Sequence, residues 1–211
     1  MAQEYGQVFS LAKQGAPVEG CTSSRVLLPG IVRFSLATGT DISAESCPRW
    51  RLLMVLSGKV CASYGDRRLE AGPLMALSLP ADVPVGIASE DDSVYLEISM
   101  EAAMNLAAET GSVFKLADMV PYRDGEVVNR DVIKADTMKL AVMSFTSGTG
   151  LDEHSAPGEA IVFALEGTGT IGYEGTEHKI SAGENFRFAK GGRHYVKADS
   201  PFKMALLLVL G

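Results

Sequence analysis

A stretch near the N-terminus returns in the middle of the chain. Val8-Phe9-Ser10-Leu11-Ala12 reappears as Val113-Phe114-Lys115-Leu116-Ala117, an offset of 105 residues. A second block follows at an offset of 109: Thr38-Gly39-Thr40 against Ser147-Gly148-Thr149, Ser46-Cys47-Pro48 against Ser155-Ala156-Pro157, and Leu56-Ser57-Gly58 against Leu165-Glu166-Gly167. Seven of the 25 positions from Phe34 to Gly58 are identical to their counterparts, where chance at ordinary composition gives about one or two. Past the glycine, Glu70-Ala71-Gly72 aligns with Ser181-Ala182-Gly183 at an offset of 111. The drift falls in turns, where length changes are tolerated. A duplicated unit must be explained before any single motif. The reading is two modules, residues 1–106 and 107–211, of 211 in all. Met100 to Glu109 is rich in strong helix formers and ends at Thr110-Gly111-Ser112, which predicts a short linker helix.

Within a module the pattern is β. Apolar runs in the second copy cover Lys139–Phe145, Ala160–Leu165, Thr168–Tyr173, Asn185–Phe188 and Phe202–Leu210. Glycine-bearing breaks separate them, and Glu174-Gly175 reads as a hairpin turn. Short strands at this spacing predict a sandwich or barrel, with no βα alternation to suggest a parallel sheet. The formal net charge of −7 lacks the basic footprint of a nucleic-acid binder. The longest apolar run, Ala205 to Leu210, is far short of the ~20 residues a spanning helix needs. The N-terminus has neither the basic head nor the apolar core of a signal peptide. Three cysteines without a C-x-x-C pair fit a reduced, cytoplasmic chain in which each is a small buried residue. No hydrolase elbow, phosphate loop or zincin motif is present.

The second copy carries Gly148-x5-His154-Ser155-Ala156-Pro157-Gly158-Glu159-Ala160, then Leu165-Glu166-Gly167, then Gly183-x5-Ala189-Lys190-Gly191-Gly192-Arg193-His194. This closely resembles the two motifs of the cupin superfamily, G-x5-H-x-H-x(3,4)-E-x6-G and G-x5-P-x-G-x2-H-x3-N. The whole chain therefore looks like a bicupin, similar to small bacterial cupins with His-x-Ala-Pro in the first motif. The resemblance implies an all-β fold of tandem double-stranded β-helix (jelly-roll) barrels. It also implies that His154 and His194 face one interior, where metal-bearing cupins hold a divalent cation. Ala156 and Ala160 stand at two further ligand positions, and Glu159 lies one residue early. A one-residue offset turns a side chain to the other face, so Glu159 reaches the site only if a bulge near Pro157-Gly158 re-aims it. Any cofactor would be a divalent transition metal (Fe, Mn, Ni or Zn) on His154 and His194.

The first copy has lost more of the pattern. Glu45 stands for His154, Cys47 for Ala156 and Arg51 for Ala160, and Val83 or Val85 takes the third histidine position. That half reads as structural, or else as a differently tuned pocket using Glu45, Trp50 or Arg51. His178 reads as an exposed hairpin residue, Arg193 as a solvated charge at the barrel mouth or a planar cation for an anionic ligand, and Arg187 as facing outward or toward a neighbouring subunit. Phe186 and Phe188 alternate along one strand, the pattern of a core face. The candidate ligand-binding residues are His154, Glu159, His194 and Phe186. A barrel of this family does not name a reaction. Three functions remain: binding of a small molecule in the second barrel, a metal-dependent dioxygenase or isomerase with a reduced ligand set, and a structural or regulatory module. The expected partners are a small-molecule ligand and, through barrel–barrel packing within the chain or a homo-oligomer, another barrel. Neither nucleic acid nor membrane is expected.

Overall fold

The computed structural model describes residues 5–100 and 107–210. Residues 101–106, on which most of the linker-helix expectation falls, lie outside the described residues. Two compact units are present. Among the described residues, one comprises the chain up to Ser10, Ala107 and the chain from Leu116 onward; the other comprises residues 11–100 and Ala108–Lys115. The strands in chain order are β1 Val8–Phe9, β2 Thr22–Leu28, β3 Ile31–Leu36, β4 Asp41–Ser46, β5 Trp50–Ser57, β6 Val60–Tyr64, β7 Arg67–Ala71, β8 Met75–Leu79, β9 Pro84–Ser89 and β10 Ser93–Met100. They continue with β11 Val113–Lys115, β12 Val127–Lys134, β13 Met138–Phe145, β14 Gly150–Ser155, β15 Glu159–Tyr173, β16 Thr176–Ser181, β17 Asn185–Phe188, β18 Arg193–Lys197 and β19 Phe202–Val209. Helix is confined to one α-turn at Leu11–Gln14 and one 3-10 turn at Leu116–Met119 among the described residues. The fold is thus all-β, with jelly-roll barrels of the cupin type.

The sheets repeat as the sequence does. One unit pairs its strands β11-β8-β5-β10-β3-β2 and, in a second sheet, β4-β9-β6-β7. The other pairs β1-β17-β15-β19-β13-β12, with β14 on β18, β18 on β15 and β15 on β16. The orders correspond strand for strand, except that β15 runs unbroken through the corner that separates β5 from β6. That corner carries the repeated Leu-x-Gly. Gly58 and Gly167 adopt φ of +70° and +71°, a region open chiefly to glycine. A Cβ on Gly167 would sit 2.1 Å from the Pro201 carbonyl oxygen, so the residue must be bare on two counts.

Alternation then sorts each core. Ala160, Val162 and Ala164 of β15 join Phe186, Phe188, Met143, Phe145, Phe202 and Met204 inside one barrel. Leu36, Leu53, Val55, Leu77, Leu79 and Tyr95 fill the other. At the hairpin after β15, Glu174 and Gly175 have φ of 46° and 82°, the paired left-handed residues of a two-residue type I′ turn. The three cysteines are unbridged; Cys61 is buried, but Cys21 is exposed and Cys47 half-buried. Only Cys61 thus behaves as the small core residue expected of all three. No helix among the described residues is long and apolar enough to cross a membrane.

Candidate functional site

The two motif histidines meet because β14 carries one residue too many. Leu151 lies opposite Val196 and His154 opposite His194, with a register shift between the two pairs. Three residues on β14 therefore span two on β18. In a regular strand a step of three would turn His154 away from the core side that Leu151 faces. The bulge restores it to that side. β4 repeats the device, with Ile42 opposite Ile87, Glu45 opposite Val85 and a shift between them. Val85, not Val83, is thus the residue at the third histidine position of the first copy.

The imidazole centroids of His154 and His194 lie 4.2 Å apart with the rings tilted by 56°. His194 is buried and stacks on Phe188 at 4.0 Å and 23°; His154 is exposed. Each ring is tied to its own strand. His154 Nδ1 is 2.8 Å from the Asp152 carbonyl and His194 Nδ1 is 3.1 Å from that of Gly192. A carbonyl only accepts, so Nδ1 carries the proton and the neutral ring presents Nε2 as an acceptor. Burial pushes the His194 pKa below the ordinary imidazole value; His154 lowers it further, and the Gly192 carbonyl partly opposes the shift. His194 is therefore a neutral acceptor at pH 7.

Aromatic side chains continue inward from this pair. Phe186 lies 5.3 Å from Phe188, and Tyr173 lies 5.8 and 5.6 Å from them. His178, expected on the exposed side of its hairpin, is instead half-buried with its ring 5.1 Å from Phe186. The reason is register. His178 lies opposite Ile171, a core residue, and two residues before the core Ile180. His178 and His194 thus both turn into one barrel, and the exposed His154 meets His194 at its rim.

Glu159 does not join them. It precedes the inward Ala160 on β15 and faces the other side, where it pairs with Arg187 and accepts the Tyr5 hydroxyl. Arg187, between the inward Phe186 and Phe188, does face outward as expected, yet it is only 4% exposed. Tyr5 covers it, with the guanidinium 5.2 Å from the ring centre. Nothing in the local sequence signals a partner 154 residues away, so Tyr5 escapes a motif reading. His178 is different, because its alternation with Ile180 is visible in the sequence. Arg193 at the barrel mouth is exposed but paired with Glu153.

The donor set falls short of what a divalent metal needs. His154 and His194 offer two nitrogens on one face. The other two motif positions are held by Ala156 and Ala160, 4% and 2% exposed, and Glu159 is engaged on the opposite face. Among the described residues no group of three His, Cys, Asp or Glu side chains converges. A closed or catalytic site uses three or four protein ligands, so these residues do not fit such a metal centre.

Comparison with known proteins agrees with this architecture. Residues 141–210 match the family model described as the cupin domain. The structure is similar to that of a cupin 2 conserved barrel domain protein from Leptotrichia buccalis, at a TM-score of 0.88 and 26% identity over 99% of this chain and 98% of that one. AerE from Microcystis aeruginosa follows at a TM-score of 0.52 and 15% identity, covering 90% of this chain and 97% of that one. Salicylate 1,2-dioxygenase from Pseudaminobacter salicylatoxidans shares the fold at 0.65 and 11% identity over 86% of this chain and 71% of that one. No curated protein matches the sequence. The match to the cupin domain thus falls in the second barrel, and the chain as a whole has the fold of cupin barrels.

Proposed function

We propose that the second barrel binds a small molecule at the His154–His194 pair. The observation that carries this is the placement of two imidazoles at 4.2 Å across β14 and β18, each anchored through Nδ1 to a backbone carbonyl. In a neutral ring such anchoring leaves Nε2 as the acceptor, and His194 offers it while stacked on Phe188. The complementary ligand is compact, has a flat or apolar face and presents hydroxyl or amine donors. His194 supplies an acceptor within an otherwise apolar surround, and burial makes a satisfied hydrogen bond there worth more than one in water. No reaction step is assigned to the pair.

Catechol is a suitable probe, since it has two hydroxyl donors on a flat ring and no charge at neutral pH. A ligand that binds only the folded state raises the melting temperature. Catechol should therefore produce a saturable rise that His194→Ala abolishes and His154→Ala reduces. Catechol and its saturated analogue cyclohexane-1,2-diol both leaving the wild-type transition unmoved would overturn the proposal. So would a rise that persists in His194→Ala.

A further inference from the structure

The inner face of the first barrel differs from that of the second in one patch. In the second barrel Ala160 lies opposite Phe188 and Leu208, and Val162 opposite Leu206. In the first, Arg51 lies opposite Leu79 and Ser99, and Leu53 opposite Glu97. Arg51, Glu97 and Ser99 therefore hold the inward positions that are Ala160, Leu206 and Leu208 in the second barrel. Arg51 is 8% exposed. Its Nη1 is 3.6 Å from Glu97 Oε2, and Glu97 Oε1 accepts the Ser99 hydroxyl at 3.2 Å. Its Nε and Nη2 are buried and have no hydrogen-bond partner.

The second barrel shows that this architecture closes with apolar residues at those positions. The fold therefore does not require the charge, and a buried guanidinium with idle donors destabilises it. The two idle nitrogens are also not arbitrary. Nε and Nη2 form one edge of the guanidinium, a fork that matches both oxygens of a carboxylate. Burial pushes the Glu97 carboxyl up, against the pull of Arg51 and the Ser99 hydroxyl. Tyr95, two positions before Glu97 on the same face, is 1% exposed, and burial holds its phenol protonated.

We propose that the interior of the first barrel is a carboxylate-binding site, in which the Nε–Nη2 edge of Arg51 takes both oxygens of a small organic acid. The chain would then bear two unlike sites, one for a neutral donor molecule and one for an anion.

Trp50 is the single tryptophan of the chain and adjoins Arg51, so its fluorescence reports on this site in the full-length protein. Benzoate and acetate are the anionic probes, and benzamide and acetamide are their neutral controls. At least one acid should change the fluorescence saturably at constant ionic strength, while its amide does not. Arg51→Lys keeps the charge but loses the fork, and should weaken binding by about tenfold or more. The double variant Arg51→Met with Glu97→Leu copies the apolar character of the second barrel and should abolish binding. His194→Ala should leave the acid's affinity unchanged. The proposal fails if neither acid gives a saturable change, if acid and amide bind alike, or if the double variant retains the wild-type affinity. Should the double variant not fold, Arg51→Lys decides: an unaltered affinity there also sinks the site.

Discussion

Burial acts against protonation at His194. Its folded pKa lies below the ordinary value, so around and below pH ~6.5 the unfolded chain takes up a proton that the folded chain refuses. The contribution of this residue is complete above pH ~6.5 and is lost as the pH falls toward the folded pKa. The melting temperature should accordingly drop below that pH, and His194→Gln should flatten the slope in a pH series of thermal melts. The Glu159–Arg187 pair makes a different prediction. Arg187 has a buried, unpartnered Nε, and its charge is met by Glu159 beneath Tyr5. Removing one member of a buried pair strands the other. Glu159→Ala should therefore cost about 3 kcal/mol in urea unfolding, while Tyr5→Phe, which loses one hydroxyl, should cost about 1 kcal/mol. If Glu159→Ala proved as mild as Tyr5→Phe, the guanidinium would have to find its stabilisation elsewhere.

At the scale of elements, the barrel corner is where the chain has least freedom. Gly167 combines a left-handed φ of +71° with a Cβ direction closed by the Pro201 carbonyl at 2.1 Å. Gly58 repeats it, with φ of +70° and the Asp92 carbonyl oxygen 2.3 Å from a would-be Cβ. Alanine at either should cost about 2 kcal/mol or more by chemical denaturation, whereas Gly148→Ala, at an open turn where no atom lies within 4 Å of the Cβ, should pay the conformational part only. The strand Asn185–Phe188, the hairpin at Glu174-Gly175 and the corner glycines were readable, because alternation and turn chemistry are local. The extension of β15 through its corner was not, since Glu166-Gly167 carries the residues of a break. The meeting of His154 with His194 was readable from the family motif, although the bulge that achieves it leaves no signature of its own. Glu159 was the ambiguous residue. Its face depended on a distortion near Pro157-Gly158, and β15 instead pairs from Glu159 onward with Ala160 facing in. His178 sits among charged residues on a hairpin, yet its two-residue spacing from the core Ile180 sets its face.

The repeat has its plainest consequence at the level of the whole molecule, where the modules of the sequence and the units of the structure part company. β1, at the start of the first copy, pairs with β17, with Val8 opposite Phe186 and Phe9 opposite Asn185. β11, at the start of the second copy, pairs with β8, with Val113 opposite Leu77 and Lys115 opposite Met75. Each copy thus sends its first strand to the sheet edge of the unit built mainly from the other. A chain cut at residue 106 loses β11 and leaves the edge of β8 bare, while keeping a β1 whose partner is gone. An unpaired edge strand templates association. A fragment of residues 1–106 should therefore dimerise or aggregate, whereas residues 11–117, which retain β11 and shed β1, should give a monomer with a cooperative thermal transition. Size-exclusion chromatography with light scattering on both fragments checks this. The two behaving alike would mean that the edge strands are dispensable, and that the first barrel closes on β8 without them.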